Sequence, residues 1–391
     1  MTADQLLADE LTTRAAAAPV EDDRVALIRT SFQLVAPHAA ELARHFYATL
    51  FSRAPETRDL FPVSMEVQRS RLLRALVHVV QMVDRPDELL PFLDQLGRDH
   101  RKFGVLSRHY DAVGAALVGT VQKFAGPAWT PEVERAWTSA YRTVADAMRA
   151  SMQAERGPAV WLGRVVEHRR VGWDLAVIGV QTSEPVPYRA GQYVSVETPQ
   201  RPRLWRYLSP ATAPREDGRL EFHVRAVPGG WVSRAIVAHS RIGDTWRIGP
   251  PMGRMHVDRT TGRELLMVAG GTGSAPIRAM LEDLARGTGQ PRNQVFVGGR
   301  TWDDLYDLAA LRRLSYRNPW LDVIPVVERD DLGEGGAELG TLGDVVSRYG
   351  AWADHDVTVC GSPAMVRATV SRMLVAGTPL HRITYDPFTL D

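Results

Sequence analysis

The sequence predicts three folds in succession: an all-α domain, then an all-β domain, then an α/β domain on a parallel sheet. Three observations carry this. Apolar residues recur at helical spacing from Val25 to Met152, the period falls towards two after Gly157-Pro158, and strands alternate with helices after Thr261-Gly262. The expected boundaries are a leader over 1–22, the helical domain over 23–156, the barrel over 157–258 and the α/β domain over 259–391.

The leader mixes acidic residues with an alanine tract from Ala15 closed by Pro19 and has no apolar stripe, so a frayed segment is expected. In the helical part Leu72, Leu73, Leu76, Val77 and Val80 form one stripe, while Pro37, Pro55, Pro62, Pro86 and Pro131 fall between segments, which predicts six or seven helices. Strands are expected over Val160–Val166, Leu175–Gln181, Tyr193–Thr198 and Leu220–Val227. Beyond them come a strand over Glu264–Ala269, a glycine turn, a helix over Ala275–Arg286, and strands near Gln294 and Asp322. That alternation describes a parallel, nucleotide-binding sheet, and no internal repeat suggests a solenoid or propeller.

A chain of 391 residues exceeds one comfortable core, in keeping with several domains. Lys and Arg number 47 against 46 Asp and Glu, so a net charge of +1 leaves no basic field to attract nucleic acid or an anionic membrane. Small-molecule partners are expected instead. A lone cysteine, Cys360, excludes an internal disulfide and a multi-cysteine iron–sulfur cage, and suits a reducing compartment. The longest apolar runs, such as Leu76 to Val83, fall well short of a bilayer span, so a soluble, cytoplasmic protein with no integral membrane segment is expected, and a monomer is the expected state.

Gly270, Gly271, Thr272 and Gly273 follow an apolar strand and precede a helix. Such a turn lets backbone amides approach a pyrophosphate with the helix dipole behind them, and Pro276 suits the first helical turn. A second strand, Asp356–Val359, runs into Cys360, Gly361, Ser362 and Pro363, a further close-approach turn at the same sheet edge. Cys360 reads equally well as a small buried residue. In the barrel, Arg206 with Ser209 can reach a phosphate and a ring edge, and Gly229, Gly230, Val232 and Ser233 open a helix where a second phosphate can sit.

Arg206-Tyr207-Leu208-Ser209, Gly191-Gln192-Tyr193, the two glycine turns and the late Tyr385-Asp386-Pro387-Phe388 together resemble the ferredoxin-reductase family. The resemblance implies FAD on the barrel, NAD(P)H on the α/β domain, and Phe388 covering the flavin ring until nicotinamide displaces it. The family pattern places a tyrosine where Leu208 stands, and Tyr207, one place early, falls on the opposite face of a strand. Arg300, after Gly298-Gly299, can reach a 2′-phosphate or be a surface arginine; NADH is favoured.

His38, His45, His78, His100 and His109 all lie in the helical part, and any one alone reads as a surface or core-edge histidine. Context distinguishes His100. His100-Arg101-Lys102-Phe103-Gly104 followed by His109-Tyr110 resembles the proximal segment of the flavohaemoglobin family, and His45-Phe46-Tyr47 with Leu60-Phe61 resembles its distal side. The resemblance implies haem b with His100 as its iron ligand and Tyr110 hydrogen-bonding nearby. Tyr47 and Gln68 would face bound dioxygen, with Phe61 and Leu72 packing the haem pocket. It further implies electrons passing from NAD(P)H through FAD to a haem that oxidises nitric oxide to nitrate. On the proximal side Met152 stands where the family has a glutamate, and Asp99, preceding His100, is read as a solvated surface charge. These departures keep a second reading open, a divergent haem and flavin oxidoreductase or an oxygen or redox sensor with another electron donor such as a hydroxyacid. A third is a ligand-binding haem protein with a vestigial reductase.

Overall fold

A computed structural model describes residues 23–330 and 335–386, so the expected leader and Phe388 lie outside the described residues. The chain divides into two compact units, up to Ala159 and from Val160 onward.

The first unit is all helical. Among the described residues its α-helices are α1 (Asp23–Val35), α2 (Ala39–Arg53), α3 (Glu66–Met82), α4 (Pro86–His100), α5 (Ser107–Ala125) and α6 (Pro131–Ala154). Proline opens α4 and α6, where its missing N–H has no intrahelical partner to lose, and the Thr130 side chain caps α6 by accepting the Val133 N–H. α1 buries Val25, Ile28, Phe32 and Val35 on one stripe, the last three against Leu42, Leu73, Leu76 and Trp137. α4 crosses α6 so closely that a Cβ on Gly97 would stand 2.9 Å from the Met148 Cα. Only a glycine permits that approach, which brings the end of α4 against the end of α6.

The second unit holds both sheets. β1 (Trp161–Arg170), β2 (Leu175–Thr182), β3 (Tyr193–Glu197), β4 (Arg206–Leu208), β5 (Arg219–Arg225) and β6 (Thr245–Met252), with α7 (Trp231–His239) before β6, form an antiparallel sheet in the order β4-β3-β6-β1-β2-β5. An antiparallel bridge from Pro210 to Phe222 brings the two edge strands together, so the sheet is a nearly closed barrel. Val165, Ile178, Val194, Phe222, Trp246 and Ile248, all 0% exposed, fill it.

The remainder is β7 (Leu265–Gly270), α8 (Ser274–Leu284), β8 (Asn293–Gly299), α9 (Leu308–Arg317), β9 (Leu321–Val327), β10 (Glu338–Leu339), α10 (Leu342–Tyr349), β11 (Asp356–Cys360), α11 (Pro363–Val375) and β12 (Ile383–Thr384). Its strands run parallel in the order β10-β9-β8-β7-β11-β12. Order reverses at β7, with β8 on one side and β11 on the other, and the crevice at the strand ends there is where such sheets bind ligands. The three fold classes thus occur in the expected order.

Candidate functional site

His100 closes α4. Its Nδ1 lies 2.8 Å from the Leu96 carbonyl, one turn back, so the N–H is on Nδ1 and the lone pair on Nε2. Burial lowers its pKa below the ordinary imidazole range, against the opposing pull of Asp99 and the Leu96 hydrogen bond. A neutral imidazole with a free lone pair at Nε2 is the donor a haem iron takes, so the residues fit that group. Three of the other histidines are committed elsewhere. His45 bonds Thr120 at 3.2 Å, His78 packs against the Phe92 ring, and His109 accepts the Leu106 N–H at the start of α5.

Asp99 is not a solvated charge: it is 8% exposed and bonds Lys102, itself 2% exposed, at 2.5 Å. The i,i+3 spacing brings the two together on the buried side of the α4 end. Tyr110 donates its hydroxyl to the Met152 Sδ at 3.0 Å, and burial pushes its pKa up to about 12. A thioether therefore occupies the acceptor position of this phenol.

Tyr47, Phe61 and Leu72 meet in one cluster with Phe46 and Leu50. The Tyr47 and Phe61 rings meet edge to face at 5.4 Å. Tyr47 is 6% exposed and burial raises its pKa, so it remains an O–H donor; its bond, to the Gln68 carbonyl, is long at 3.3 Å. Gln68 joins the group through its backbone, whereas Tyr110 belongs to a separate cluster with Leu93 and Met148.

In the second unit a cavity of about 710 Å³ opens at the carboxyl ends of β7 and β11. Of the residues singled out above, Tyr207, Leu208, Ser209, Gly270, Gly271, Thr272, Gly273, Arg300, Cys360, Gly361 and Pro363 line it. A Cβ on Gly273 would overlap the Cys360 carbonyl, and Gly271 sits at φ 55, so glycine is needed at one for space and at the other for conformation. Ser362 accepts the Met365 N–H at 3.3 Å and caps α11. Burial raises the Cys360 pKa, and its Sγ lies 3.2 Å from the Met255 Sδ, which makes it a core thiol. The cavity and its side-chain-free glycine cradle fit a dinucleotide.

Gln192, Tyr193, Arg206, Gly229, Gly230, Val232 and Ser233 lie outside that lining. Gln192 ties its loop together, donating to the Gly253 carbonyl at 3.1 Å and accepting the Arg189 N–H at 2.8 Å. Gly230 is the N-cap of α7, Val232 is fully buried, and Ser233 accepts the Val227 N–H at 3.4 Å. Tyr207 pairs with Ser195 and meets the Tyr193 ring at 5.1 Å, while Leu208 pairs with Val194 and packs on the barrel core. Gly229 at φ 74 and Gly230 add no side chain of their own before the α7 N-terminus, and with the cavity face of β4 this fits a flavin dinucleotide.

Sequence reasoning passed over His223, Arg225 and Asp386, which also line the cavity. The polar alternation along β5 was the available signal for the first two. Asp386 was read only as a neighbour of Phe388. Burial raises its pKa to about 6, the Arg254 backbone opposes this, and its Oδ2 is buried without a hydrogen-bond partner among the described residues. A carboxyl pKa raised on folding adds stability below the unfolded value and loses it as pH rises through the folded one. Asp386→Asn is therefore expected to raise stability by about 1–2 kcal/mol above pH 7 and to leave it unchanged near pH 3. Urea unfolding at the two pH values checks this; equal effects at both remove the assignment.

Residues 44–148 match the globin family, residues 163–257 the oxidoreductase FAD-binding domain and residues 267–371 the oxidoreductase NAD-binding domain. The flavohemoprotein of Bordetella parapertussis is 27% identical over 396 residues, covering 93% of this chain and 97% of the relative. That of Bacillus subtilis is 23% identical over 401 residues, covering 94% and 97%. Among solved structures, the flavohemoglobin from Malassezia yamatoensis with bound FAD and heme superposes with a TM-score of 0.77 at 19% identity, over 94% of this chain and 99% of that one, a likeness of fold. The two reductase models name FAD and NAD as the groups that such domains bind. The chain therefore carries a globin domain followed by FAD-binding and NAD-binding oxidoreductase domains, and it is similar almost end to end to flavohemoproteins.

Proposed function

We propose that this chain consumes nitric oxide and dioxygen to make nitrate, at the expense of NADH. Electron transfer from NAD(P)H through FAD to haem follows from its three domains; the nitric oxide chemistry is the further step. When bound, the haem supplies dioxygen binding and the FAD splits a hydride into single electrons.

The chain's own groups supply the rest. His100 offers the Nε2 lone pair. Tyr47 offers an O–H from a buried apolar cluster, while Phe61 and Leu72 exclude water. The Gly270–Gly273 turn admits a pyrophosphate to backbone amides, and Arg206 with Ser209 serves the flavin. Glu328 lines the cavity along with Arg300, and its carboxylate would repel a 2′-phosphate, which supports NADH. Domain limits of 23–156, 157–258 and 259–391 and a cytoplasmic monomer complete the proposal. No helix among the described residues is long and apolar enough to cross a membrane.

The observation that carries this reading is the Tyr47 hydroxyl, a buried donor whose bond among the described residues is a long one that a small oxygen ligand can replace. Tyr47→Phe is expected to speed dioxygen release about tenfold, the worth of one hydrogen bond, and to depress nitric oxide consumption similarly. Flash photolysis and a nitric oxide electrode read the two; no change in either removes Tyr47 from the role. The Tyr110–Met152 contact favours a second reading, because a thioether strengthens an iron ligand less than a carboxylate does. In that reading the haem is a redox or oxygen sensor. Slow haem reduction by NADH in stopped flow would select it.

A further inference from the structure

Along β5, Leu220, Phe222 and Val224 point into the barrel core, so Glu221, His223 and Arg225 face outward. On an isolated barrel that face would meet water. Here the α/β half covers it, and His223 is 5% exposed.

Both ring nitrogens of His223 are engaged: Nε2 lies 3.0 Å from Glu221 Oε1 and Nδ1 lies 2.8 Å from the Tyr306 hydroxyl. A carboxylate can only accept, so Nε2 carries the proton and Nδ1 accepts the Tyr306 O–H. The Tyr306 oxygen then accepts from Ser274 Oγ, 2.8 Å away. Arg278 fixes the base of this line by bonding both Glu221 and Asp307, the latter at 2.9 Å. Ser274 is the first residue of α8 and directly follows the Gly271–Gly273 turn. An unbroken hydrogen-bonded line thus runs from a barrel strand to the turn that cradles a dinucleotide.

We propose that His223 is a positioning residue for hydride transfer: through Tyr306 and Ser274 it sets where the glycine turn stands relative to β5, and so how the nicotinamide of a bound NAD(P)H is presented. This rests on reading the cavity as the dinucleotide site. The pyrophosphate contacts come from the turn itself and survive a small shift, whereas hydride transfer tolerates little misplacement. Loss of the line therefore slows the saturated rate more than it weakens binding.

The test is anaerobic stopped-flow reduction of the FAD-loaded full chain by NADH, in His223→Ala, His223→Asn and Tyr306→Phe. Tyr306→Phe keeps the ring and removes only the hydroxyl; Asn places an acceptor near the former Nδ1. Expected are a saturated flavin-reduction rate lowered about tenfold or more in Ala and Phe, a Kd for NADH within about threefold of wild type, and substantial recovery in Asn. Hydrogen exchange in protein free of dinucleotide should also quicken over residues 270–276 in Ala and Phe. Saturated rates within about twofold of wild type in both variants overturn the proposal, as does a parallel loss of rate and affinity that Asn does not restore. Wild-type flavin that neither NADH nor NADPH reduces overturns the dinucleotide reading itself, and the positioning role with it.

Discussion

His100→Ala is expected to yield a protein that holds FAD but no haem, with the Soret absorbance reduced roughly tenfold or more. The His100 ring is oriented before any iron arrives, because the Leu96 carbonyl holds Nδ1–H at 2.8 Å and burial keeps the ring neutral. No neighbour replaces it. His45 and His109 already serve Thr120 and the α5 terminus. The FAD and NAD halves lie in a separate compact unit with their own cores, so flavin content and flavin reduction by NADH should persist. A pyridine haemochrome assay beside the flavin spectrum makes the measurement. Wild-type haem content in His100→Ala would remove the ligand assignment, and normal circular dichroism in the variant separates loss of haem from loss of fold.

Gly273→Ala is expected to destabilise the second unit by about 1–3 kcal/mol and to weaken NADH binding about tenfold, although one methyl is all it adds. Gly273 has φ −61 and ψ −14, a conformation any residue adopts, so the effect is not one of backbone freedom. Its Cβ would overlap the Cys360 carbonyl and lie 2.8 Å from the Gly361 nitrogen, and these are backbone atoms that cannot swing aside. The β7 turn and the β11 turn must then separate, opening the cradle both of them form. Gly271→Ala is the control. At φ 55 it meets conformational strain of about 1 kcal/mol, but nothing lies within 4 Å of its Cβ. Urea unfolding and NADH titration of the pair should rank Gly273→Ala as the more damaging; the reverse order would contradict the close approach.

Legibility followed the range of the interaction. The stripe of α1, the alternation of β5 and the glycine turn after β7 are set by residues a few positions apart, and each was readable. β4, only three residues long, offers no period and was visible only as a motif. The His223–Tyr306 bond spans 83 positions and the Tyr110–Met152 bond 42, distances at which no spacing rule applies. Asp99 looked like a surface charge because α4 alone does not reveal that Lys102 will be buried beside it.

Local spacing alone was enough to establish three fold classes in their order, and to mark the turns where only glycine serves, since period and turn chemistry depend on near neighbours. Which polar groups end up buried together was decided when distant segments packed. The polar face of β5 became the floor of a cavity, Asp386 lost its water, and Tyr110 met a sulfur. Burial and pairing belong to surfaces that exist only once the elements have come together.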